Sequence, residues 1–94
     1  MSDWYLYLIR CQDNSLYCGI TTDVDRRIKE HQAGGAKAAR YLRGRRPLVL
    51  AFQSRAGTRS QALKLEYRVK QLTRDRKEQL ISGQLEIRSL ISLD

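Results

Sequence analysis

The segment WYLYLIRCQDNSLYCGI, residues 4–20, decides the fold of this chain of 94 residues. Two runs rich in aromatic and β-branched side chains flank a short polar stretch at residues 12–15. Such runs on either side of an Asp/Asn/Ser segment are typical of a β-hairpin. We therefore predict antiparallel strands over residues 4–11 and 15–21.

The residues after the hairpin predict an amphipathic helix over about residues 24–32. Its candidate N-caps are Thr21, Thr22 and Asp23, and Thr22 with Asp25 resembles a capping box. The stripe expected to be buried follows helical spacing and contains Val24, Ile28 and His31. Arg27 lies four residues before His31, so the two side chains are neighbours at the edge of that stripe.

The middle of the chain begins where Gly34-Gly35 ends this helix. Residues 36–46 are basic and predict either a loop or a short helix. Pro47 then opens an apolar run at residues 48–52, which predicts a third strand that is broken by Ala56-Gly57.

The second half of the chain predicts mostly helix. Thr58 and Ser60 are candidate caps of a second helix, whose apolar stripe contains Ala62, Leu65, Val69 and Leu72. Glu66 lies beside that stripe, and residues 74–92 predict one or two shorter helices. The order ββαβα plus a C-terminal helix predicts a small α+β fold with a three-stranded antiparallel sheet flanked by helices.

Length and composition favour a single intracellular domain over residues 1–94, with a core of about 3–82 and a helical tail over 83–94. Ninety-four residues suffice for a core of two small layers but not for a second domain. No apolar run approaches the ~20 residues that cross a bilayer, and the N-terminus lacks the features of a signal peptide. We expect a cytoplasmic protein without membrane contact, in which Cys11 and Cys18 are reduced, buried thiols.

Positive charge is concentrated in one part of the chain. The net charge is +8, and residues 26–46 hold eight Lys or Arg residues but a single acid, Glu30. A basic block of this kind indicates a polyanionic partner, although a merely solvated basic face would look the same. Arginine outnumbers lysine in the block, which suits bidentate contacts to phosphate.

The two halves of the hairpin resemble the paired motif of the GIY-YIG nuclease superfamily. Tyr5-Leu6-Tyr7 corresponds to a degenerate first half without its glycine, and Tyr17-Cys18-Gly19 corresponds to the second half. Arg27 and His31 match the family's helical arginine and the His or Tyr one turn later, and Glu66 matches its late glutamate. Together with the basic stretch at residues 39–48, this pattern is most similar to the small bacterial YhbQ-like group, which is related to Slx-type structure-specific endonucleases.

The resemblance implies a divalent-metal-dependent endonuclease that hydrolyses phosphodiester bonds in branched or damaged DNA. Glu66 would be the sole protein carboxylate on Mg²⁺ or Mn²⁺, Tyr17 would activate water, and Arg27 would bind the scissile phosphate. Tyr7 would hydrogen-bond Tyr17 or the phosphate, and His31 would relay a proton or contact phosphate. Gly19 would be structural, because it leaves space where a strand or substrate approaches closely.

DNA contacts are expected mainly through phosphates, without reading of the base sequence. The residues expected to make them are Arg26, Lys37, Arg40, Arg43, Arg45 and Arg46. A partner protein for targeting is a further expectation. Some family members have a lysine where this chain has Ile20, and several have a late asparagine, whereas this chain has only Asn14.

The same residues have plainer interpretations. Glu66 can be an i,i+4 partner of Lys70 on a helix surface, and the tyrosines and His31 can be ordinary structural residues. At the level of function, the alternatives are a catalytically weak or inactive nucleic-acid-binding module of the same fold and an adaptor whose basic face meets an acidic protein.

Overall fold

A computed structural model describes residues 3–91 of the chain. The hairpin forms β1 (Trp4–Arg10) and β2 (Leu16–Thr21), followed by α1 (Val24–Ala33). The remaining elements are β3 (Val49–Gly57), α2 (Arg59–Lys70), α3 (Arg74–Ser82) and α4 (Arg88–Ile91). Residues 1–2, and residues 92–94 of the expected C-terminal tail, lie outside the described part.

The three strands form one antiparallel sheet in the order β2-β1-β3. The α+β prediction is thus confirmed, and β1 is the central strand. Four consecutive residues of β1, Leu6 to Ile9, are at most 1% exposed. A strand buried at every position must be covered on both faces, because successive side chains point to opposite sides of the sheet.

Both faces of the sheet are covered, in agreement with the predicted sheet flanked by helices. Leu6 and Leu8 pack in a cluster with residues of α2, α3 and α4. Tyr7 and Ile9 pack on the opposite face against Val24 of α1 and residues of the basic segment, which we define as residues 36–46. Successive side chains of β1 therefore pack into two different cores. Truncating a buried residue such as Leu8 to alanine would lower the free energy of unfolding by about 2–5 kcal/mol.

Helix ends follow local side-chain chemistry. Asp23 is the N-cap of α1 and accepts a hydrogen bond from the backbone N–H of Arg26, so the capping box of Thr22 with Asp25 is wrong. Gly34 ends α1 in the left-handed conformation, with φ 72°. Thr58 caps α2 in a reciprocal capping box with Gln61, which leaves Ser60 inside the first turn.

The third strand is longer than its apolar run. It continues through Gly57, although Ala56-Gly57 was expected to break it. The reason is its pairing: β3 pairs with β1 from Val49 to Gly57 through backbone groups, which polar residues supply as well as apolar ones. Gln53 and Arg55 are exposed, so their polar side chains remain hydrated in the strand.

The C-terminal segment packs onto the sheet. Leu90 is 7% exposed and belongs to the same cluster as Leu6 and Leu8, so α4 contributes to the core through Leu90. Arg10 at the end of β1 donates hydrogen bonds to both carboxylate oxygens of Glu78 in α3, at 2.6 and 2.8 Å.

Among residues 3–91, no helix has the length and apolar character required to span a bilayer.

Candidate active site

The centre of the candidate site is a hydrogen bond between β1 and α1. The Tyr7 hydroxyl lies 2.9 Å from Nε2 of His31, and both side chains are 1% exposed. The other ring nitrogen of His31, Nδ1, accepts a hydrogen bond from the backbone N–H of Ala39 at 3.2 Å. A neutral imidazole that accepts at Nδ1 carries its proton on Nε2. His31 is therefore the donor to Tyr7, and the hydroxyl proton of Tyr7 remains available to another acceptor.

His31 is held in its neutral form. Burial is the main cause that lowers its pKa to about 4, and the positive charge of Arg27 lowers it further. The buried ring offers no surface to a phosphate, so the predicted direct phosphate contact is wrong. Its remaining route to a substrate passes through the Tyr7 hydroxyl.

Gly19 creates the space that Tyr7 occupies. It is the cross-strand partner of Tyr7 in the hairpin. A Cβ atom added at Gly19 would lie 2.6 Å from Cζ of Tyr7 and still closer to its hydroxyl. The structural assignment of Gly19 thus has a specific cause: the Tyr7 ring crosses β2 at the one position that lacks a side chain.

Tyr17 lies on the edge strand, half-buried among three other rings. Its ring centroid is 6.4 Å from that of Tyr7, 5.8 Å from that of His31 and 5.9 Å from that of Tyr41. Within residues 3–91 the Tyr17 hydroxyl makes no hydrogen bond. The Tyr17 hydroxyl is therefore free to bind water or substrate.

Burial raises the pKa of both phenols. For Tyr17, burial outweighs the positive charges of Lys70 and Arg27, which lower the pKa, and Glu66 raises it further. Arg27 and Lys70 therefore do not by themselves bring the pKa of Tyr17 below its usual value. The Tyr7 pKa rises to about 12, because burial dominates and Arg27 offsets only part of it.

Arg27 connects the tyrosines to the basic segment. Its guanidinium donates to the carboxylate of Glu30 at 3.0 Å and to the backbone carbonyl of Lys37 at 2.6 Å. Burial acts to lower its pKa, but Glu30 and the Tyr7 phenol outweigh burial and the pKa is raised. The guanidinium thus stays fully charged beside Tyr7, with part of its surface exposed.

Glu66 reaches the site from the other face of the sheet. It lies on α2, which packs with the Leu6–Leu8 cluster; its side chain is 20% exposed, and its carboxylate is 3.5 Å from Nζ of Lys70. This is the i,i+4 ion pair on the helix surface that is the structural alternative to a metal-binding role for Glu66. Glu66 and Lys70 nevertheless both act electrostatically on Tyr17, whereas Arg27 acts on it from the α1 side. The edge strand β2 is thus where the two sets of charged groups meet.

A divalent cation would find a single protein carboxylate here. Among the described residues, no group of three or more His, Cys, Asp and Glu side chains could hold a metal ion. One partly exposed carboxylate fits Mg²⁺ or Mn²⁺ bound mainly by water and substrate phosphate oxygens, since such ions commonly use only one or two carboxylates. The ion would have to compete with Lys70 for Glu66.

The basic segment is a loop with one turn of 3₁₀ helix at Arg40–Leu42, and its arginines divide into two groups. Three are engaged within the chain: Arg43 with the carbonyls of Gly35 and Ala36, Arg45 with Asp13, and Arg46 with the carbonyl of Gln32. Lys37 and Arg40 are exposed and have no side-chain partner within residues 3–91. Arg26 is also exposed and approaches Glu30 at 3.9 Å.

Tyr41 is a member of the site that the sequence did not single out. Its ring stacks on Tyr17 with an interplanar angle of 27°, and the Arg45 guanidinium lies 4.2 Å from its centroid. Tyr41 lies 24 residues after Tyr17 in an irregular segment, where no periodicity predicts which side chain turns inward. Its place in a basic, aromatic-containing stretch was the only signal in the sequence.

Comparison with known proteins identifies the family of the chain. The model of the family described as the GIY-YIG catalytic domain matches residues 3–79, which include all five of the proposed catalytic residues. The chain belongs to the GIY-YIG family. This is a nuclease family, so the predicted superfamily is confirmed.

The relatives of this GIY-YIG chain are small bacterial proteins of similar length. It is 55% identical over 92 residues to a UPF0213 protein of Cronobacter sakazakii, with 98% of this chain and 95% of that protein covered. It is also 55% identical to the UPF0213 protein YhbQ of Salmonella arizonae, covering 98% and 90% of the two chains. The solution NMR structure of the UPF0213 protein BH0048 from Bacillus halodurans is similar, with a TM-score of 0.56, 42% identity, and coverage of 96% and 94%. The predicted YhbQ-like grouping is therefore confirmed.

The structure brings four of the predicted residues together on one face of the sheet: Tyr7, Tyr17, Arg27 and His31. Glu66 approaches the same edge strand from α2. Of the predicted DNA-contacting residues, the structure leaves Arg26, Lys37 and Arg40 exposed, whereas the guanidinium groups of Arg43, Arg45 and Arg46 bind other parts of the chain.

Proposed function

We propose that the protein is a divalent-metal-dependent endonuclease that hydrolyses phosphodiester bonds in branched or damaged DNA. The observation that carries this proposal is that three kinds of group lie near β2: a Tyr17 hydroxyl without a hydrogen bond within residues 3–91, the cationic Arg27 and the carboxylate of Glu66. Hydrolysis needs a proton acceptor for the attacking water and positive charge near the phosphate. Each of these is supplied by a side chain at that edge.

Tyr17 receives the proton of the attacking water. In its phenolate form the oxygen accepts this proton while the water oxygen bonds to phosphorus and the ester bond to the leaving oxygen breaks, and the leaving oxygen takes up a proton from solvent. The raised pKa makes this form scarce at neutral pH, and the charges of Lys70 and Arg27 act in its favour. Scarcity is compatible with catalysis, because a base of high pKa takes up the proton with a larger driving force.

Tyr7 and His31 form a fixed hydrogen-bond donor beside Tyr17. Since the Nε2–H of His31 donates to the Tyr7 oxygen, the Tyr7 hydroxyl can donate to Tyr17 or to a phosphate oxygen. His31 is a positioning residue in this arrangement, because it acts only through Tyr7. Arg27 binds the phosphate and stabilises the charge that develops on it.

Glu66 would hold the Mg²⁺ or Mn²⁺ ion at the other side of β2. The ion, when bound, supplies positive charge that polarises phosphate and water oxygens. Phosphate contacts by Lys37, Arg40 and Arg26 would position the DNA without reading its sequence. This supports selection by the shape of the DNA.

The second candidate is a nucleic-acid-binding module with little or no catalysis. The ion pair of Glu66 with Lys70 and the raised pKa of Tyr17 favour it, since both oppose the proposed chemistry. Cleavage of flap, four-way junction and plain duplex DNA of equal length separates the candidates. The endonuclease cuts with Mg²⁺ or Mn²⁺ and prefers a branched substrate. Tight binding without any metal-dependent cutting on all three substrates supports the module instead.

A further inference from the structure

Tyr41 touches the candidate site without belonging to the matched motif residues. Its ring centroid is 5.9 Å from that of Tyr17 with the two rings inclined by 27°, a stacked arrangement. The Arg45 guanidinium lies 4.2 Å from the centre of the Tyr41 ring, within the range of a cation–π contact. The Tyr41 side chain therefore lies in contact with both a catalytic candidate and the basic segment's own arginine.

The position of Tyr41 is fixed by its neighbours in the chain. The next residue, Leu42, is completely buried in the core beside Tyr7 and Ile9. Nε of Arg45 donates to the backbone carbonyl of Tyr41 at 2.7 Å, and its Nη1 forms an ion pair with Asp13 of the hairpin turn at 2.7 Å. Arg45 thus ties the Tyr41 backbone to the hairpin turn.

Tyr17, in contrast, has little else to fix it. Its strand is at the edge of the sheet and its hydroxyl makes no hydrogen bond within residues 3–91. The orientation of the ring depends on ring contacts: Tyr7 and His31 lie beside it, and Tyr41 provides the stacked face. Removal of Tyr41 would leave that face open to water and give the ring freedom to turn.

We propose that Tyr41 is a positioning residue that holds the Tyr17 ring in its catalytic orientation by stacking. The inference rests on the proposed function and adds to it, because the motif residues Tyr7 and His31 contact the Tyr17 ring at an angle and do not stack on it. It makes the basic segment part of the catalytic apparatus as well as a DNA contact. A displacement of the Tyr17 hydroxyl by about 1 Å is expected to lower the rate by about tenfold to a hundredfold.

Two measurements on four proteins test the proposal: wild type, Tyr41→Phe, Tyr41→Ala and Tyr67→Ala. Tyr67 is the matched control, since it is an exposed tyrosine (67%) on α2. The first measurement is the set of NMR nuclear Overhauser effects between the Tyr17 and His31 rings. The second is kcat and KM for metal-dependent cleavage of flap DNA, with thermal unfolding to show that each variant is folded.

We expect Tyr41→Phe and Tyr67→Ala to retain the ring-to-ring signals and kcat. Tyr41→Ala should weaken the signals and lower kcat at least about tenfold with KM little changed. Signals of unchanged strength in Tyr41→Ala, or an unchanged kcat, overturn the proposal. If wild type does not cut DNA, the proposed endonuclease function fails, and the NMR signals alone decide whether Tyr41 orients Tyr17.

Discussion

The hydrogen bond of 2.9 Å between His31 and Tyr7 connects the basic segment to the hairpin. The link begins at the backbone N–H of Ala39, passes through the imidazole and ends at the Tyr7 hydroxyl. Every member has one defined hydrogen-bonding role, because Nδ1 must accept and Nε2 must donate. A residue that the sequence offered as a proton relay or phosphate ligand thus acts as a fixed structural donor inside the core.

The first prediction concerns the charge of His31, which is the only histidine in the chain. The folded protein should show one imidazole that is neutral at pH 7, protonated on Nε2 and titrating near pH 4, by ¹⁵N and ¹³C NMR. Because the unfolded imidazole titrates near 6.5, only the unfolded state binds this proton between about pH 6.5 and 4. The contribution of His31 to stability is therefore complete above pH 6.5 and declines as the pH falls towards 4. A midpoint near 6.5 in the folded protein would contradict the buried hydrogen-bond chain.

The second prediction concerns Gly19. In Gly19→Ala the new methyl group collides with the Tyr7 ring, which must leave its place beside His31. Overpacking of this kind should lower the free energy of unfolding by about 1–3 kcal/mol. Chemical denaturation measures it, and Gly35→Ala is the matched control, since a Cβ at Gly35 meets no atom within 4 Å. Equal stability of the two variants would show that Tyr7 does not need the space at Gly19.

The third prediction concerns the two cations of the basic segment that have no partner within residues 3–91. Lys37→Ala and Arg40→Ala should each weaken DNA binding and reduce the slope of log affinity against log salt by about 0.7–0.9, the value for one phosphate contact. Fluorescence anisotropy at several salt concentrations measures both quantities. Arg76→Ala, which removes an exposed arginine of α3, should leave the slope unchanged. An equal decrease of this slope in all three variants would instead indicate a general effect of net charge.

The fourth prediction concerns competition at Glu66. Lys70 lies 3.5 Å from the carboxylate, so Lys70→Met should strengthen Mn²⁺ binding. The gain should be about two- to fivefold, since an exposed ion pair contributes at most about 1 kcal/mol. Calorimetric titration with Mn²⁺ measures it, with Lys64→Met on the same helix as the control. Stronger binding in the Lys64 variant alone, or in neither, would argue against Glu66 as the metal ligand.

Periodicity and motif spacing predicted most of the fold. The aromatic and β-branched run at residues 4–9 and the polar stretch after it yielded the hairpin, and the stripe around Leu65 yielded α2. The length of β3 was not predicted, because it depends on the neighbouring strand. β3 continues through Gly57 because β1 provides backbone hydrogen-bonding groups along its whole length. The helices that flank the sheet were predicted from their own periodicity, but the apolar run of β1 did not show that both of its faces are covered, because such a run looks the same in either case.

The candidate site was predictable where one element fixes the geometry. Arg27 and His31 are neighbours because a helix places residues four apart on one face. The burial of His31, by contrast, depends on Ala39 and Tyr7, which lie on other elements. The role of Arg45 likewise follows from Asp13, 32 residues away, so its ion pair could not be foreseen from the local basic composition.

The central claim is that Tyr17 and Glu66 carry out metal-dependent phosphodiester hydrolysis. The most direct test is single-turnover cleavage of flap DNA in Mg²⁺ or Mn²⁺ by Tyr17→Phe and Glu66→Gln, beside the controls Tyr67→Phe and Glu86→Gln. The controls change an exposed tyrosine and an exposed glutamate in the same chemical way. We predict a loss of at least about a hundredfold in rate for Tyr17→Phe and Glu66→Gln and wild-type rates for the controls. Equal rates for all four variants and wild type would contradict the claim.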